Sequence, residues 1–129
     1  MPRAYDVKTV AVALGVRFRW LDNLLSQHEL PGITSSRRQG VGRVISEEGV
    51  LAVELVRLLS DFGLGVGRAA SVARATLASR APGALRFADE SGIVLDFPLA
   101  IVERRLREQL LDAVDAVPRL ARGRPRLAP

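Results

Sequence analysis

Arginine side chains dominate the chemistry available to this chain of 129 residues, because cysteine and histidine are nearly absent. The chain has no cysteine and a single histidine, His28, so neither a thiolate site nor a histidine cluster is possible. It contains no phosphate-binding loop after a strand, no nucleophile elbow and no convincing pair of catalytic carboxylates. We therefore expect no enzymatic activity, no metal and no cofactor.

The basic groups are concentrated at the two ends of the chain. Residues 1–45 hold seven Lys/Arg against three Asp/Glu, residues 46–117 hold eight against eleven, and residues 118–129 hold four against none. All but one of these cations are arginines, whose planar fork suits guanine edges and phosphates, although codon bias explains the same excess equally well. Two basic ends around an acidic centre predict two contacts with a polyanion beside a folded or partner-binding middle.

The apolar content places the chain among globular proteins that do not enter membranes. Apolar residues make up 48% of the sequence, which is enough to build a core. No run of eighteen apolar residues occurs, and the first residues do not have the pattern of a signal peptide. We expect a cytoplasmic, nucleoid-associated protein.

Two short helices joined by a glycine open the chain. Apolar residues repeat at helical spacing from Val7 to Leu14, and Gly15 is suited to end that helix in a left-handed conformation. The second helix has an apolar face and ends before Pro31-Gly32; its members are Phe18, Leu21, Leu24 and Leu25. A helix-turn-helix needs a small contact residue, a turn with positive φ and apolar anchors, and Ala11, Gly15 and the Val16/Leu21/Leu24 set supply them in that order.

The middle of the chain alternates between hairpin and helix signals. Short β-favouring pieces at 33–35 and 43–45 flank a basic, glycine-bearing loop and predict a hairpin. Ser46 is a good N-cap for the most apolar helix, which extends to about Phe62. A glycine-rich turn at 63–67 then leads to an alanine-rich helix at about 68–79.

The last part predicts a second hairpin, at 85–87 and 93–95, and then an amphipathic helix at about 98–116. We expect Pro98 in the first turn of that helix and Pro118 at its end, with residues 118–129 forming a disordered basic tail. The apolar stripe of the helix is either a dimerisation surface or a face folded back on the chain's own core. The residues assigned to dimerisation are Leu99, Val102, Leu106 and Leu110.

Several stretches stand in the order and spacing of one known family. They are 15–21 (GVRFRWL), Leu30-Pro31, 42–48 (GRVISEE) and 62–66 (FGLGV). Over about residues 7–77 the chain resembles the MerR-like winged helix-turn-helix family. The resemblance implies two helix-turn-helix pairs with an intervening wing and, usually, a homodimer on an inverted-repeat DNA site.

The chain also departs from that family. Asp22-Asn23-Leu24 replaces the arginine and paired tyrosines that family members tend to carry, and the cysteines of the metal-responsive members are absent. A hairpin before a moderate helix replaces the long dimerisation helix. The resemblance therefore implies the DNA-binding fold and not metal sensing or activation by promoter untwisting.

A recognition helix offers its N-terminal, solvent-facing residues to the major groove. That rule selects Arg17, Arg19, Asp22 and Asn23, together with Ser26 or Gln27, and Arg19 and Asn23 are the first choices. Arginine bridges two acceptors of guanine, asparagine bridges adenine, and aspartate accepts from the amino group of cytosine. Trp20 is either a packing residue or a phosphate contact, and His28 is interpreted as a helix-end residue.

Arginines outside the second helix are expected to contact the DNA backbone or the minor groove. Those around the first hairpin are Arg37, Arg38 and Arg43, for which a solvated loop is the alternative. In the tail, Arg122-Gly123-Arg124 and the following proline resemble the core of an AT-hook, in which an extended segment lies in a narrow minor groove. A merely solubilising tail is the alternative.

We therefore predict a mainly α protein with a winged helix-turn-helix, small β-hairpins and a C-terminal amphipathic helix. Its expected parts are a DNA-binding domain at 1–80, a dimerisation or partner-binding element at 81–117 and the tail at 118–129. The predicted function is sequence-specific binding of double-stranded DNA, as a transcriptional regulator that forms a homodimer. The alternatives are a DNA-bending accessory factor of the excisionase kind and an antitoxin-like module that binds a protein partner through 81–117.

Overall fold

The chain is mainly helical, with five helices, a three-stranded antiparallel sheet and a separate two-stranded sheet in the part described. The structure is a computed structural model that describes residues 4–34, 43–78, 84–88, 92 and 94–123. The helices are α1 (Val7–Leu14), α2 (Phe18–Gln27), α3 (Glu47–Phe62), α4 (Val66–Ala78) and α5 (Leu99–Gly123). The strands are β1 (Ala4–Asp6), β2 (Ile33–Thr34), β3 (Val44–Ser46), β4 (Ala84–Ala88) and β5 (Val94–Pro98).

The first two helices meet at the predicted glycine. Asp6 caps the start of α1, where its Oδ1 accepts a hydrogen bond of 2.7 Å from the Thr9 backbone N–H. Gly15 ends α1 at φ 68°, and the N–H of Val16 donates to the Ala11 carbonyl at 3.0 Å. The chain therefore turns within three residues and begins α2.

The three-stranded sheet has the order β1-β3-β2, with every neighbouring pair antiparallel. The predicted pairing around the basic loop is confirmed, with Ile33 opposite Ile45 and Thr34 opposite Val44. The sequence did not indicate β1, because three residues at the start of a chain carry little periodic signal. Pairing of β1 with β3 across some forty residues creates that strand, and it places Tyr5 opposite Ile45.

The turn after α2 lies directly against the start of α3. The N–H of Ser46 donates to the Gly32 carbonyl at 2.8 Å, and Ser46 Oγ caps α3 by accepting from the Gly49 N–H at 3.2 Å. Gly32 has φ 78°, and a Cβ atom there would lie 2.3 Å from the Gly49 nitrogen. Glycine is therefore required at 32 both for its backbone conformation and for this close approach.

Helix α3 is the centre of a single hydrophobic core. Leu55, Val56 and Leu59 of α3 are completely buried, and the small residues Ala70 and Ala73 let α4 approach it closely. Helix α5 packs along α1 and also contacts α3. The core thus includes residues from all five helices.

The residues assigned to dimerisation belong to this core. Leu99 is 4% exposed, Val102 8%, Leu106 3% and Leu110 1% within the single chain. The stripe of α5 is thus the face folded back on its own core, the second of the two expectations, because α1 and α3 leave an apolar surface that α5 covers. These four side chains are not available on the surface for a second copy.

The ends of α5 differ from the prediction. Pro98 is the last residue of β5, so the helix begins one residue later, at Leu99. Pro118 does not end the helix, which extends to Gly123. A proline removes one backbone donor and disturbs one turn, but the residues that follow it, Arg-Leu-Ala-Arg, have good helix propensity and allow the helix to resume.

The predicted second hairpin is confirmed and is longer than expected. Strands β4 and β5 pair antiparallel over five residues each, from Ala84 opposite Pro98 to Ala88 opposite Val94. The hairpin contacts the rest of the protein mainly through α5. No helix in the described part of the chain combines the length and the hydropathy that a membrane span needs.

A buried carboxylate ties α5 to α3. Glu54 is 1% exposed, and its two oxygens accept from Arg57 Nε, at 2.5 Å, and from Arg105 of α5. The hydrogen bond to Glu54 raises the pKa of Arg57 above its ordinary value. Because a buried carboxylate without a cation is costly, this arrangement favours one position of α5 along α3.

Candidate nucleic-acid interface

The apolar side of α2 determines which residues of this helix face the solvent. Leu21 is completely buried, Leu24 is 3% exposed and Leu25 is 9% exposed, so all three anchor α2 on the core. Trp20 is half-buried and packs against the same core, in agreement with its interpretation as a packing residue. Because these leucines fix the orientation of α2 on the core, the opposite side of the helix faces the solvent.

The outward side of α2 carries most of the predicted reading residues. Arg17, Arg19 and Asn23 are all exposed, and so are Ser26 and Gln27. Arg19 and Asn23 are four residues apart, which places them on one face of the helix. This face combines a bidentate donor with an amide that both donates and accepts, over about one turn.

Asp22 and Arg43 were both predicted to contact DNA, and the structure brings them together. Arg43 Nη1 donates to Asp22 Oδ1 at 3.0 Å, and Arg43 Nη2 donates to Ser26 Oγ at 3.1 Å. Ser26 Oγ in turn donates to the Asp22 carbonyl at 2.8 Å. Arg43 therefore joins the residue just before β3 to the exposed side of α2.

The bridge engages both of these residues, which were predicted to contact DNA. Asp22 Oδ1 is engaged by a guanidinium of the same chain, so the expected cytosine contact competes with an internal ion pair. The Asp22 side chain is 44% exposed and that of Arg43 28%, so the pair lies at the surface. Its main effect is to fix the start of β3 beside α2, and the sequence contained no signal for a contact between residues 21 positions apart.

Phe18 differs from its predicted role. It was expected on the buried face of α2 with Leu21, Leu24 and Leu25, but its side chain is 49% exposed. As the first residue of α2 it lies at the edge of the apolar stripe, where the core no longer covers it. Its spacing of three from Leu21 and of seven from Leu25 predicted burial, and no local pattern indicated that the core ends before this residue.

Other predicted contacts fall at the margins of the structure or outside it. Arg37, Arg38 and Arg124 lie outside the described residues. Arg122 and Gly123 lie in the last turn of α5, so the extended backbone expected of an AT-hook core is not adopted there. The helix that continues past Pro118 is the physical reason for that difference.

In the parts of the chain described, no group of three or more His, Asp or Glu side chains is placed to hold a metal ion. His28 forms the C-terminal boundary of α2, where its N–H donates to the Leu24 carbonyl at 2.9 Å, as predicted for a helix-end residue. The exposed side of α2 carries hydrogen-bond donors and acceptors, among them the side chains of Arg19 and Asn23.

We compared the chain with models of known protein families, with curated proteins and with solved structures, and none of the three comparisons gave a match. The function of this surface therefore has to be inferred from its own geometry and charge.

Proposed function

We propose that this protein binds double-stranded DNA sequence-specifically, with α2 in the major groove, and acts as a transcriptional regulator. The observation that carries the proposal is the outward face of α2, where Arg19 and Asn23 stand exposed above three buried leucines. An α-helix fits the major groove of B-form DNA, and residues near its N-terminus reach the base edges.

The elements around α2 support a winged helix-turn-helix interpretation. Helix α1 and the left-handed Gly15 supply the first helix and the turn, with α2 as the second helix. The antiparallel pair β2–β3 follows directly, and Arg43 ties it to α2 through Asp22 and Ser26. In this interpretation the loop that joins the two strands is the wing, and its Arg37 and Arg38 contact the DNA backbone.

Each residue of the proposed interface has a chemical role. Arg19 donates to the O6 and N7 of a guanine, and Asn23 pairs with the N6 and N7 of an adenine. Arg17 stands just before the first turn of α2 and neutralises a phosphate. A homodimer on an inverted repeat is part of the proposal, although α5 does not offer its buried stripe for it.

The test is selection of binding sites from a randomised duplex library by the parent protein and by the Arg19→Ala/Asn23→Ala double variant. We expect the parent to select a defined motif. We expect the double variant to lose at least about 30-fold in affinity for that motif, because two bidentate contacts are removed. Its remaining binding is weak and falls steeply with salt, as expected for phosphate contacts alone.

Arg104→Ala is the matched control. Arg104 is an exposed arginine of α5, and its replacement removes one positive charge, as in the double variant, but at a residue outside α2. We expect this variant to select the same motif as the parent. If the parent enriches no duplex, or if the double variant selects the same motif with the same affinity, DNA reading by α2 is refuted.

A further inference from the structure

Phe18 is an exposed aromatic side chain at the start of α2. Its side chain is 49% exposed, although Leu21, Leu24 and Leu25 of the same helix are at least 91% buried. Single apolar residues on a surface are common, so exposure alone assigns no role. The position of Phe18 suggests a role. It stands between Arg17 and Arg19, which are both exposed, at the end of α2 that enters the groove in the proposed function.

Phe18, Asp22 and Ser26 form one stripe along α2, and Arg43 engages only Asp22 and Ser26 of these three residues. Residues 18, 22 and 26 are four apart and therefore follow one another along the helix. Arg43 engages Asp22 and Ser26 and so occupies the polar part of this stripe. Phe18 lies one turn nearer the N-terminus, beyond the two residues that the bridge engages.

Two adjacent stripes of α2 thus differ in chemistry. One carries Arg19 and Asn23, which suit the polar edges of purines. The other presents an apolar ring, and the apolar group that B-form DNA displays in its major groove is the 5-methyl group of thymine. Contact between the ring and this methyl group removes both from water.

We propose that Phe18 is a specificity-determining residue that reads the 5-methyl group of a thymine next to the bases read by Arg19 and Asn23. This inference rests on the proposed function and adds one base to its readout. It predicts a thymine at a fixed position of the selected motif. The contact is with a base and not with the sugar-phosphate backbone.

The test replaces each thymine of the selected duplex by deoxyuridine, one at a time, which removes only the methyl group. Affinities are measured for the parent, for Phe18→Ala and for Phe62→Ala. Phe62 is the matched control, because it is an exposed phenylalanine, at 40%, at the end of α3. Circular dichroism verifies that each variant is folded before binding is measured.

We expect one deoxyuridine to weaken binding of the parent and of Phe62→Ala by about three- to five-fold, the loss for one buried methyl group. The Phe18→Ala variant should bind the thymine and deoxyuridine duplexes equally. The inference is overturned if no single deoxyuridine affects the parent, if Phe18→Ala keeps the same sensitivity, or if the selected motif contains no thymine. Failure of the parent to select any motif refutes the proposed function itself.

Discussion

At the scale of single residues, the ion pair between Asp22 and Arg43 joins two elements of the chain, the start of β3 and helix α2. Arg43 holds two groups of α2, the Asp22 carboxylate at 3.0 Å and the Ser26 hydroxyl at 3.1 Å. Surface ion pairs of this kind contribute little to stability. Their value here is geometric, because the pair sets the distance between β3 and the exposed face of α2.

We predict that Asp22→Ala changes no base preference of the selected motif. The reason is that its carboxylate is already paired with Arg43. The same variant should lower the free energy of unfolding by only about 0.2–1 kcal/mol. Library selection and urea unfolding measure the two effects.

Arg43→Ala and the Asp22→Ala/Arg43→Ala double variant complete the comparison. Both single variants remove the same interaction, which can be lost only once. The double variant should therefore lose less free energy of unfolding than the sum of the losses in the two single variants. Loss of a cytosine preference at one position of the motif in Asp22→Ala alone would show that Asp22 reads a base after all.

At the scale of elements, the angle between α1 and α2 depends on the backbone of Gly15. This residue adopts φ 68°, a conformation that costs an L-residue about 1–2 kcal/mol. Apart from Gly15 and its two chain neighbours, no residue has an atom within 4 Å of a Cβ placed there, so the cost is one of backbone conformation and not of a clash. The turn thus positions the exposed face of α2 through a single residue.

We predict that Gly15→Ala lowers the free energy of unfolding by about 1–2 kcal/mol, measured by urea denaturation. Gly67→Ala is the matched control: Gly67 lies in the first turn of α4, and a Cβ there would be in ordinary contact with His28 Cε1, at 3.6 Å. This control should gain up to about 1 kcal/mol, because alanine favours a helix over glycine. Equal shifts of the same sign in both variants would contradict the assignment of the cost to φ.

At the scale of the whole molecule, α5 completes the core that α1 and α3 begin. Its buried face includes Leu106 and Leu110, and the pair of Glu54 with Arg105 joins it to α3. The C-terminal helix is therefore part of the same folded unit as the proposed reading helix. The outer side of α5, with Leu111 at 54% exposure, is the side left to solvent.

We predict that neighbouring leucines of α5 differ sharply in their contribution to stability. Leu110→Ala, at 1% exposure, should lower the free energy of unfolding by about 2–5 kcal/mol, because it leaves a cavity in the core. Leu111→Ala should change it by no more than about 0.5 kcal/mol. Urea denaturation at several protein concentrations measures both.

The loss in Leu110→Ala should be the same at every protein concentration, because Leu110 is buried within one chain. If that loss depended on concentration, the stripe of α5 would be an interface between chains and not a core face. If Leu111→Ala were the more damaging change, the outer side of α5 and not the stripe would be the covered side.

Local signals in the sequence determined most of the elements of this protein. Gly15, Ser46 and the helical spacing of apolar residues act through contacts within a few positions, so α1, α2, α3 and the pairing of β2 with β3 were predictable. The exposed placement of Arg19 and Asn23 followed from the same periodicity, since the leucines of α2 had to face a core.

Only the tertiary structure decided which surfaces are covered and which charges are paired. The stripe of α5 is a core face because α1 and α3 happen to leave apolar area beside it, and amphipathicity alone does not distinguish a partner from the chain's own core. The pairing of β1 with β3 and the bridge from Arg43 to Asp22 join residues far apart in sequence. Such contacts depend on the mutual placement of elements, and no local pattern encodes that placement.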